Sequence, residues 1–241
     1  MTTKTDATIE VSCLAVIPAR GGSKRVPGKN VREFCGKPMI AHTIEAAIQC
    51  GLFASVIVST DDRGIAALSQ RYGAETPFIR NPELADDYTP VSLVTLDALS
   101  KHDPERSRFG FVAQLMPNCP LRTAEDIRNS FSQFVRTRAE VQISVTRYGW
   151  QNPWWAMTRN DGYGLLPLFT DAVRTRSQDL PPVYCPTGAV WWIRAETLHR
   201  EETFHIQGRT GWEIPWKRGI DIDTEEDWEM AVMLGENTCR T

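Results

Sequence analysis

The chain has 241 residues, 41% hydrophobic and 24% charged, so it carries enough apolar material for a sizeable core. Its 27 Lys and Arg against 30 Asp and Glu leave a net charge of −3, which gives no global attraction to nucleic acid or membrane phosphates, and neither is expected as a partner. No apolar run approaches the roughly 18 residues of a membrane span, and the polar first residues lack the apolar stretch of a signal peptide.

Residues 1–12 therefore read as a loose tail ahead of a single domain over 13–241, in a cytoplasmic protein. The six cysteines are scattered, with Cys35 and Cys50 the nearest pair at fifteen positions, so buried thiols are expected rather than a zinc clip or a redox motif.

In chain order, residues 13–18 form a short apolar strand that runs straight into a loop rich in Gly, Lys and Arg. Helical spacing follows over 39–51, through Ile40, Ile44, Ala47 and Ile48. Residues 54–60 are a second strand, 62–72 a helix stopped by Gly73, and 76–79 a third short strand. After a polar loop over 80–90 come a helix over 91–99, a buried strand over 109–116, a helix over 123–137 opened by Thr123-Ala-Glu-Asp126, and a strand over 140–146. Such alternation predicts an α/β fold, a mostly parallel sheet with helices on both faces and right-handed crossovers.

The pattern breaks at Arg147. From there to Thr187 the chain is rich in Trp, Pro, Gly and Arg, which predicts a functional excursion or an inserted element. Regular structure returns over 188–193, and the chain closes with a strand over 219–223 and a helix over 224–234.

The strongest chemical signal is Pro18-Ala-Arg-Gly-Gly-Ser-Lys-Arg-Val-Pro-Gly-Lys-Asn30. It places Arg20, Lys24, Arg25 and Lys29 after an apolar strand with no acid among them, and Gly21, Gly22 and Ser23 allow close approach of a ligand to the backbone. The carboxyl end of a parallel strand is where open α/β sheets bind ligands. Neither Gly-x-x-x-x-Gly-Lys-Ser/Thr nor Gly-x-Gly-x-x-Gly is matched, so ATPase and dinucleotide readings lose their main support.

The second signal is Ile220-Asp221-Ile222-Asp223-Thr224. In a strand Asp221 and Asp223 share a face while the isoleucines enter the core, and paired hard oxygens suit Mg²⁺. The competing reading is a helix cap at Asp223 or Thr224. Weaker signals are Arg80-Asn-Pro-Glu-Leu-Ala-Asp-Asp87, which punctuates a turn equally well, and Arg174-Thr-Arg-Ser-Gln-Asp179 in the irregular segment. The eight tryptophans, all from position 150 onward, read mainly as core or subunit-interface anchors; the four histidines show no ligand spacing and receive no role.

Together these motifs resemble the acylneuraminate cytidylyltransferase family, the CMP-sialic acid synthetases and their relatives for legionaminic and pseudaminic acids. The resemblance is carried by Ile17-Pro-Ala-Arg-Gly-Gly-Ser-Lys24 with Lys29-Asn30, then Gly36-Lys-Pro-Met39, Val58-Ser-Thr-Asp61, Arg80 with Glu83-Leu-Ala85, Pro120-Leu-Arg122, Gln178-Asp-Leu-Pro181, Gly188-Ala189 and Ile220-Asp-Ile-Asp223, and spans about residues 13–234.

It implies a Rossmann-like nucleotide-diphospho-sugar transferase fold, with 147–187 as a small dimerisation element that reaches into the partner's site of a homodimer. Arg20, Gly21, Gly22, Ser23, Lys24 and Lys29 would bind the triphosphate of CTP, Asn30 and Arg80 would read cytosine, Asp221 and Asp223 would hold Mg²⁺, and Arg176 and Gln178 match positions near an acidic sugar.

One motif departs. Where the family commonly reads Leu-Gln-Pro-Thr-Ser-Pro-Leu-Arg, this chain reads Leu115-Met-Pro-Asn-Cys-Pro-Leu-Arg122, so Met116 and Asn118 stand at sugar-facing positions and a variant acidic sugar is expected.

The expected reaction is attack of the anomeric hydroxyl of a 2-keto-3-deoxy nonulosonate on the α-phosphorus of CTP. Arg20, Lys24, Lys29, Asp221 and Asp223 would be the catalytic set, and the metal would activate the hydroxyl. The alternatives are a cytidylyltransferase for an octulosonate or other small acceptor, and a catalytically inactive nucleotide-binding regulator.

Overall fold

A computed structural model describes residues 12–149 and 151–239, the side chains of 237–239 excepted. The strands are β1 (Ser12–Pro18), β2 (Glu33–Phe34), β3 (Lys37–Pro38), β4 (Phe53–Ser59), β5 (Phe109–Gln114), β6 (Val141–Arg147), β7 (Met157–Arg159), β8 (Leu165–Pro167), β9 (Tyr184–Arg194) and β10 (Thr210–Glu213). The helices are α1 (Met39–Gln49), α2 (Arg63–Arg71), α3 (Val91–His102), α4 (Ala124–Thr137), α5 (Ala195–Glu201) and α6 (Glu225–Cys239).

Six strands form one sheet in the order β10-β6-β9-β5-β1-β4. Neighbours run parallel except at β9, which is antiparallel to both β5 and β6. Helical crossovers return the chain to its starting end and give parallel neighbours. The 148–183 excursion instead leaves and re-enters at the same end of the sheet, so β9 runs back against β6. The fold is thus α/β with a mostly parallel mixed sheet.

Alternation along β1 sorts the core into two layers. Cys13, Ala15 and Ile17 pack with α1, α2 and α4 on one face, whereas Leu14 and Val16 pack with Ala98, Leu99 and Leu198 on the other. The helices begin where their sequence says. Asp62 accepts the N–H of Gly64 at 2.6 Å and of Ile65 at 2.9 Å to cap α2, and Thr123 with Asp126 makes a reciprocal capping box for α4. Gly73, at φ 93°, turns the chain off α2 as a left-handed residue.

Two expected strands do not form. Residues 76–79 make no ladder, because only Glu75 bridges to β4 and Pro77 has no N–H with which to continue. Residues 219–223 form no ladder: the Ile222 N–H donates to Asn118 O at 2.9 Å and the Asp223 N–H to Asp227 Oδ2 at 2.9 Å. Alternation nevertheless persists, with Ile222 fully buried and both aspartates on one cavity wall. The first strand opens at Ser12, and the rest of the expected tail lies outside the described residues, as does Trp150. Strands β2, β3, β7, β8 and β10 and helix α5 are too short to have left a period in the sequence.

The 148–183 excursion carries the β7–β8 hairpin and short helical turns, and it leaves Tyr163, Leu165, Leu166, Leu168 and Phe169 exposed. Trp192 and Trp228 are core residues, whereas Trp155 and Trp216 are exposed. Cys13, Cys50 and Cys119 are buried thiols. Among the described residues no helix is long and apolar enough to cross a membrane.

Candidate active site

At the carboxyl end of β1 the chain opens a cavity of about 490 Å³. The 20–30 loop supplies one wall through Arg20, Ser23, Lys24, Arg25, Lys29 and Asn30; Arg80 and Asp87 supply a second, and Met116, Asn118 and Asp223 a third. A neighbouring cavity of about 430 Å³ is bounded by Gln114, Gly188, Trp191, Thr203, His205 and Asp221. Met116, Asn118 and Asp223 line both, so the two share a wall.

The basic loop is held from two sides. Arg20 Nη1 donates to Asp87 Oδ1 at 2.7 Å and to Asp86 O at 2.9 Å, and Lys24 Nζ donates to Asp87 Oδ2 at 2.5 Å. Those bonds, from Lys24 first and then Arg20, hold the Asp87 carboxyl below its usual range. On the other side Lys29 Nζ donates to Ile222 O at 2.6 Å and to Asp223 Oδ1 at 3.2 Å, and Arg25 lies 3.3 Å from the same oxygen. Two motifs nearly two hundred positions apart thereby meet.

Two buried groups on the first cavity have unspent hydrogen-bonding capacity. Asn30 Nδ2 donates to Arg20 O at 3.0 Å, which fixes the amide's orientation because that carbonyl needs a donor, and Asn30 Oδ1 is buried without a partner. Arg80 is 3% exposed, with Nη2 3.5 Å from Asp61 Oδ1 and Nε unpaired. Burial lowers the Arg80 pKa and the Asp61 charge opposes that shift. Both residues line one cavity, and a buried acceptor and a buried donor without partners carry a cost that a complementary ligand can remove if the side chains turn toward it.

The carboxylates sit in different surroundings. Asp221 accepts the Cys119 thiol at 2.5 Å and the Gly188 N–H at 3.1 Å. Burial pushes its pKa up, the Cys119 and Gly188 bonds oppose this, and the Asp223 charge adds to the rise. Cys119 is itself pushed well above the usual thiol range, by burial and then by Asp221.

Asn118 Nδ2 donates to Asp223 Oδ1 at 3.4 Å, and the Asp221 and Asp223 carboxylates on one cavity wall offer hard oxygen donors that fit a divalent cation. Among the described residues no group of three or more His, Cys, Asp or Glu is arranged to hold a metal ion. A cation that fills its remaining positions with phosphate oxygens and water suits such a pair.

Arg122 organises this wall from beneath. It is buried, and donates to Ala189 O at 2.6 Å, Thr43 Oγ1 at 2.7 Å, Met116 O at 3.2 Å and Cys119 O at 3.3 Å, tying the 115–122 turn to β9 and α1. Gly188 is needed for close approach, since a Cβ there would lie 2.7 Å from Met116 Cγ and 3.0 Å from Asp221 Oδ1.

The family profile described as cytidylyltransferase matches residues 14–167, which contain the basic loop, Arg80 and the Met116 turn. Over 224 residues the chain is 30% identical to the pseudaminic acid cytidylyltransferase of Campylobacter jejuni, covering 92% of this chain and 95% of that one. Over 225 residues it is 35% identical to the CMP-N,N'-diacetyllegionaminic acid synthase of Legionella pneumophila, covering 92% and 96%. The chain belongs to the acylneuraminate cytidylyltransferase family.

This cytidylyltransferase also shares its fold with the solved CMP:2-keto-3-deoxy-manno-octonic acid synthetase complexed with CTP, at a TM-score of 0.70 over 94% of this chain and 99% of that one, with 19% identity.

Of the residues expected at the site, Arg20, Ser23, Lys24, Lys29, Asn30, Arg80, Met116, Asn118, Asp221 and Asp223 line the two cavities. Gly21 and Gly22 do not; the Gly21 N–H donates to Asp61 Oδ1 at 3.0 Å. Arg176 and Gln178 lie in the exposed excursion away from both cavities, and Arg176 pairs with Asp179 at 2.7 Å. Trp191, His205, Gln114 and Asp87 are on the walls without having been singled out as site residues. His205 stands edge-on to Trp191 with ring centroids 5.3 Å apart, a placement made by the fold rather than by any local motif.

Proposed function

We propose that this enzyme transfers CMP from CTP to the anomeric hydroxyl of an acidic 2-keto-3-deoxy nonulosonate of the sialic, legionaminic or pseudaminic type, releasing pyrophosphate. The observation that carries the nucleotide half is that Asn30 and Arg80, each with a buried polar atom lacking a partner, line the cavity that also holds Arg20 and Lys24. Cytosine offers an amino donor at N4 beside acceptors at N3 and O2, complementary to Asn30 Oδ1 and the Arg80 guanidinium. Uracil would set a carbonyl oxygen where cytosine has its amino group, opposing the Asn30 oxygen and leaving buried groups unpaired.

In this reading Arg20, Ser23, Lys24 and Lys29 take the triphosphate, and Gly21 and Gly22 shape the loop. Asp221 and Asp223 would hold Mg²⁺, which would supply charge neutralisation at the phosphates and lower the pKa of the attacking hydroxyl. The sugar hydroxyl gives up its proton to solvent as its oxygen bonds to the α-phosphorus, the bond from that phosphorus to the bridging oxygen breaks, and pyrophosphate leaves with its charge matched by Arg20 and Lys24. Lys29, shared between Ile222 O and Asp223, fixes the acidic segment against the phosphate loop.

The acceptor belongs in the second cavity. Gly188 admits Met116 to its wall, and Trp191 and His205 give it an aromatic side. The Gln114 amide is present two residues before Met116, but its oxygen already accepts from Thr95 at 2.8 Å. A thioether at Met116 favours an acyl or deoxy substituent over a hydroxyl. The names of the pseudaminic and legionaminic relatives support that choice.

Residues 13–241 act as one cytidylyltransferase domain in this account, with the 147–187 excursion as a dimerisation element. Its exposed Leu165, Leu166, Leu168 and Phe169 give it apolar surface that a second copy would cover, and the exposed Arg176 and Gln178 would then serve the partner's sugar site. Light scattering should give a dimer; a stable monomer of ~27 kDa at assay concentration would refute this element of the reading.

Pyrophosphate release with CTP, Mg²⁺ and a panel of acidic sugars tests the function. Turnover with a nonulosonate is expected; turnover with an octulosonate alone would replace the acceptor, and no turnover with any acid sugar would overturn the reading.

A further inference from the structure

Asp87 stands where a phosphate-binding site should not tolerate it. One carboxylate bridges the two outer cations, Oδ1 to Arg20 and Oδ2 to Lys24, and lines the same cavity as both. A loop built only to attract phosphate would keep acids at a distance, because a like charge beside an anion lowers its affinity.

The 81–89 segment is shaped to present this carboxylate. Asn81 Oδ1 accepts the Glu83 N–H at 3.2 Å, and Asp86 Oδ1 accepts the N–H groups of Tyr88 at 2.9 Å and Thr89 at 2.6 Å, closing a turn with Asp87 at its exposed edge. Among the described residues, every hydrogen bond between this segment and the 19–30 loop runs through Arg20 or Lys24. Those donors are the ones a triphosphate needs. A phosphate drawn to Arg20 or Lys24 competes with Asp87 for their charge and donors, and so weakens the hold of the segment on the basic loop.

The geometry points to Asp87 as a positioning residue that competes with the triphosphate for Arg20 and Lys24: it holds both cations in register and hands them to the phosphate oxygens, then recaptures them as pyrophosphate departs. The inference rests on the proposed triphosphate role of Arg20 and Lys24. It adds that the affinity for phosphate is set below the cations' capacity, which favours release of the product anion.

Inorganic pyrophosphate is titrated calorimetrically into the full chain in chelator, for wild type, Asp87→Asn, Asp87→Ala, Asp86→Asn and Arg20→Ala, and the KM for CTP and for the acceptor is measured with Mg²⁺. Both Asp87 variants should bind pyrophosphate about threefold to tenfold more tightly, the range for two partly exposed ion pairs, and lower the CTP KM without moving that of the acceptor. Asp86→Asn removes the same charge from the same turn, but its side chain does not touch Arg20 or Lys24, so its affinity should stay within about twofold of wild type.

Equal or weaker pyrophosphate binding in both Asp87 variants overturns the inference, and so does an equal gain in Asp86→Asn. Unchanged pyrophosphate and CTP binding in Arg20→Ala would instead sink the triphosphate reading itself.

Discussion

Asp126 joins a helix terminus to the segment that carries the two candidate metal ligands, and its removal should be felt at both. Its carboxylate is 4% exposed and accepts four bonds: from the Thr123 N–H at 3.0 Å and hydroxyl at 2.9 Å, and from Arg218 Nε at 2.8 Å and Nη2 at 2.9 Å. Arg218 stands three residues before Asp221.

Asp126→Ala removes half of the α4 capping box, about 1 kcal/mol. It also removes a forked ion pair worth a further ~1 kcal/mol once the 43% exposure of the Arg218 side chain is allowed for. The sum, ~2 kcal/mol, corresponds to a melting temperature lower by ~4–8 °C in a chain of this size. Calorimetry on Asp126→Ala, Arg218→Ala and the double variant separates the contributions, with a coupling of ~1 kcal/mol expected between the two sites. Arg218→Ala should also lower turnover at limiting Mg²⁺ more than at saturating Mg²⁺, because it frees the approach to Asp221. A coupling below ~0.3 kcal/mol, or a melting temperature within ~1 °C of wild type for Asp126→Ala, would refute the reasoning.

Asp221→Asn and Asp223→Asn should each reduce turnover at least ~100-fold with melting temperatures near wild type, since a cation loses a charged ligand while the amide can still accept a hydrogen bond; near-normal activity of both at saturating Mg²⁺ would remove the metal assignment. Arg80→Ala should weaken CTP and narrow the preference for CTP over UTP by ~10-fold or more, checked by competition kinetics; an unchanged base preference would end its assigned role. Gly188→Ala should cost ~1–3 kcal/mol in stability, read by denaturation, and lower turnover through displacement of Met116 and Asp221; wild-type values for both would show that the close approach is dispensable. Met116→Gln should move the ratio of kcat/KM values toward N-acetylneuraminate by about tenfold with little change in the CTP KM, and an unmoved ratio would free the residue from sugar selection.

What could be read from the sequence is what local physics controls. The apolar run of β1 and the basic loop after it are contiguous, and Asp62, Gly73 and the Thr123–Asp126 box mark helix ends by themselves. The two aspartates were readable because an alternating pattern keeps its faces even where no ladder forms, as the buried Ile222 between them shows. Arg122, Trp191, His205 and Gly188 were harder, because each acts through contacts with distant segments, such as Arg122 on Ala189 and Thr43. The antiparallel direction of β9 was hidden for a similar reason: it follows from the path of the irregular excursion, which has no period. Residues 76–79 were misread because a β-prone stretch gave no weight to Pro77 as a missing donor.

The central claim is that the acceptor's anomeric oxygen displaces pyrophosphate from the α-phosphorus of CTP in the cleft between the basic loop and Asp221–Asp223. The measurement that tests it most directly uses a nonulosonate labelled with ¹⁸O at the anomeric hydroxyl, with the phosphorus products followed by NMR and mass spectrometry. The account predicts one equivalent of unlabelled pyrophosphate for each CMP-sugar, with the label retained in the oxygen that bridges the sugar and phosphorus. Loss of the label from the product, or a nucleotide product formed without pyrophosphate, would contradict it.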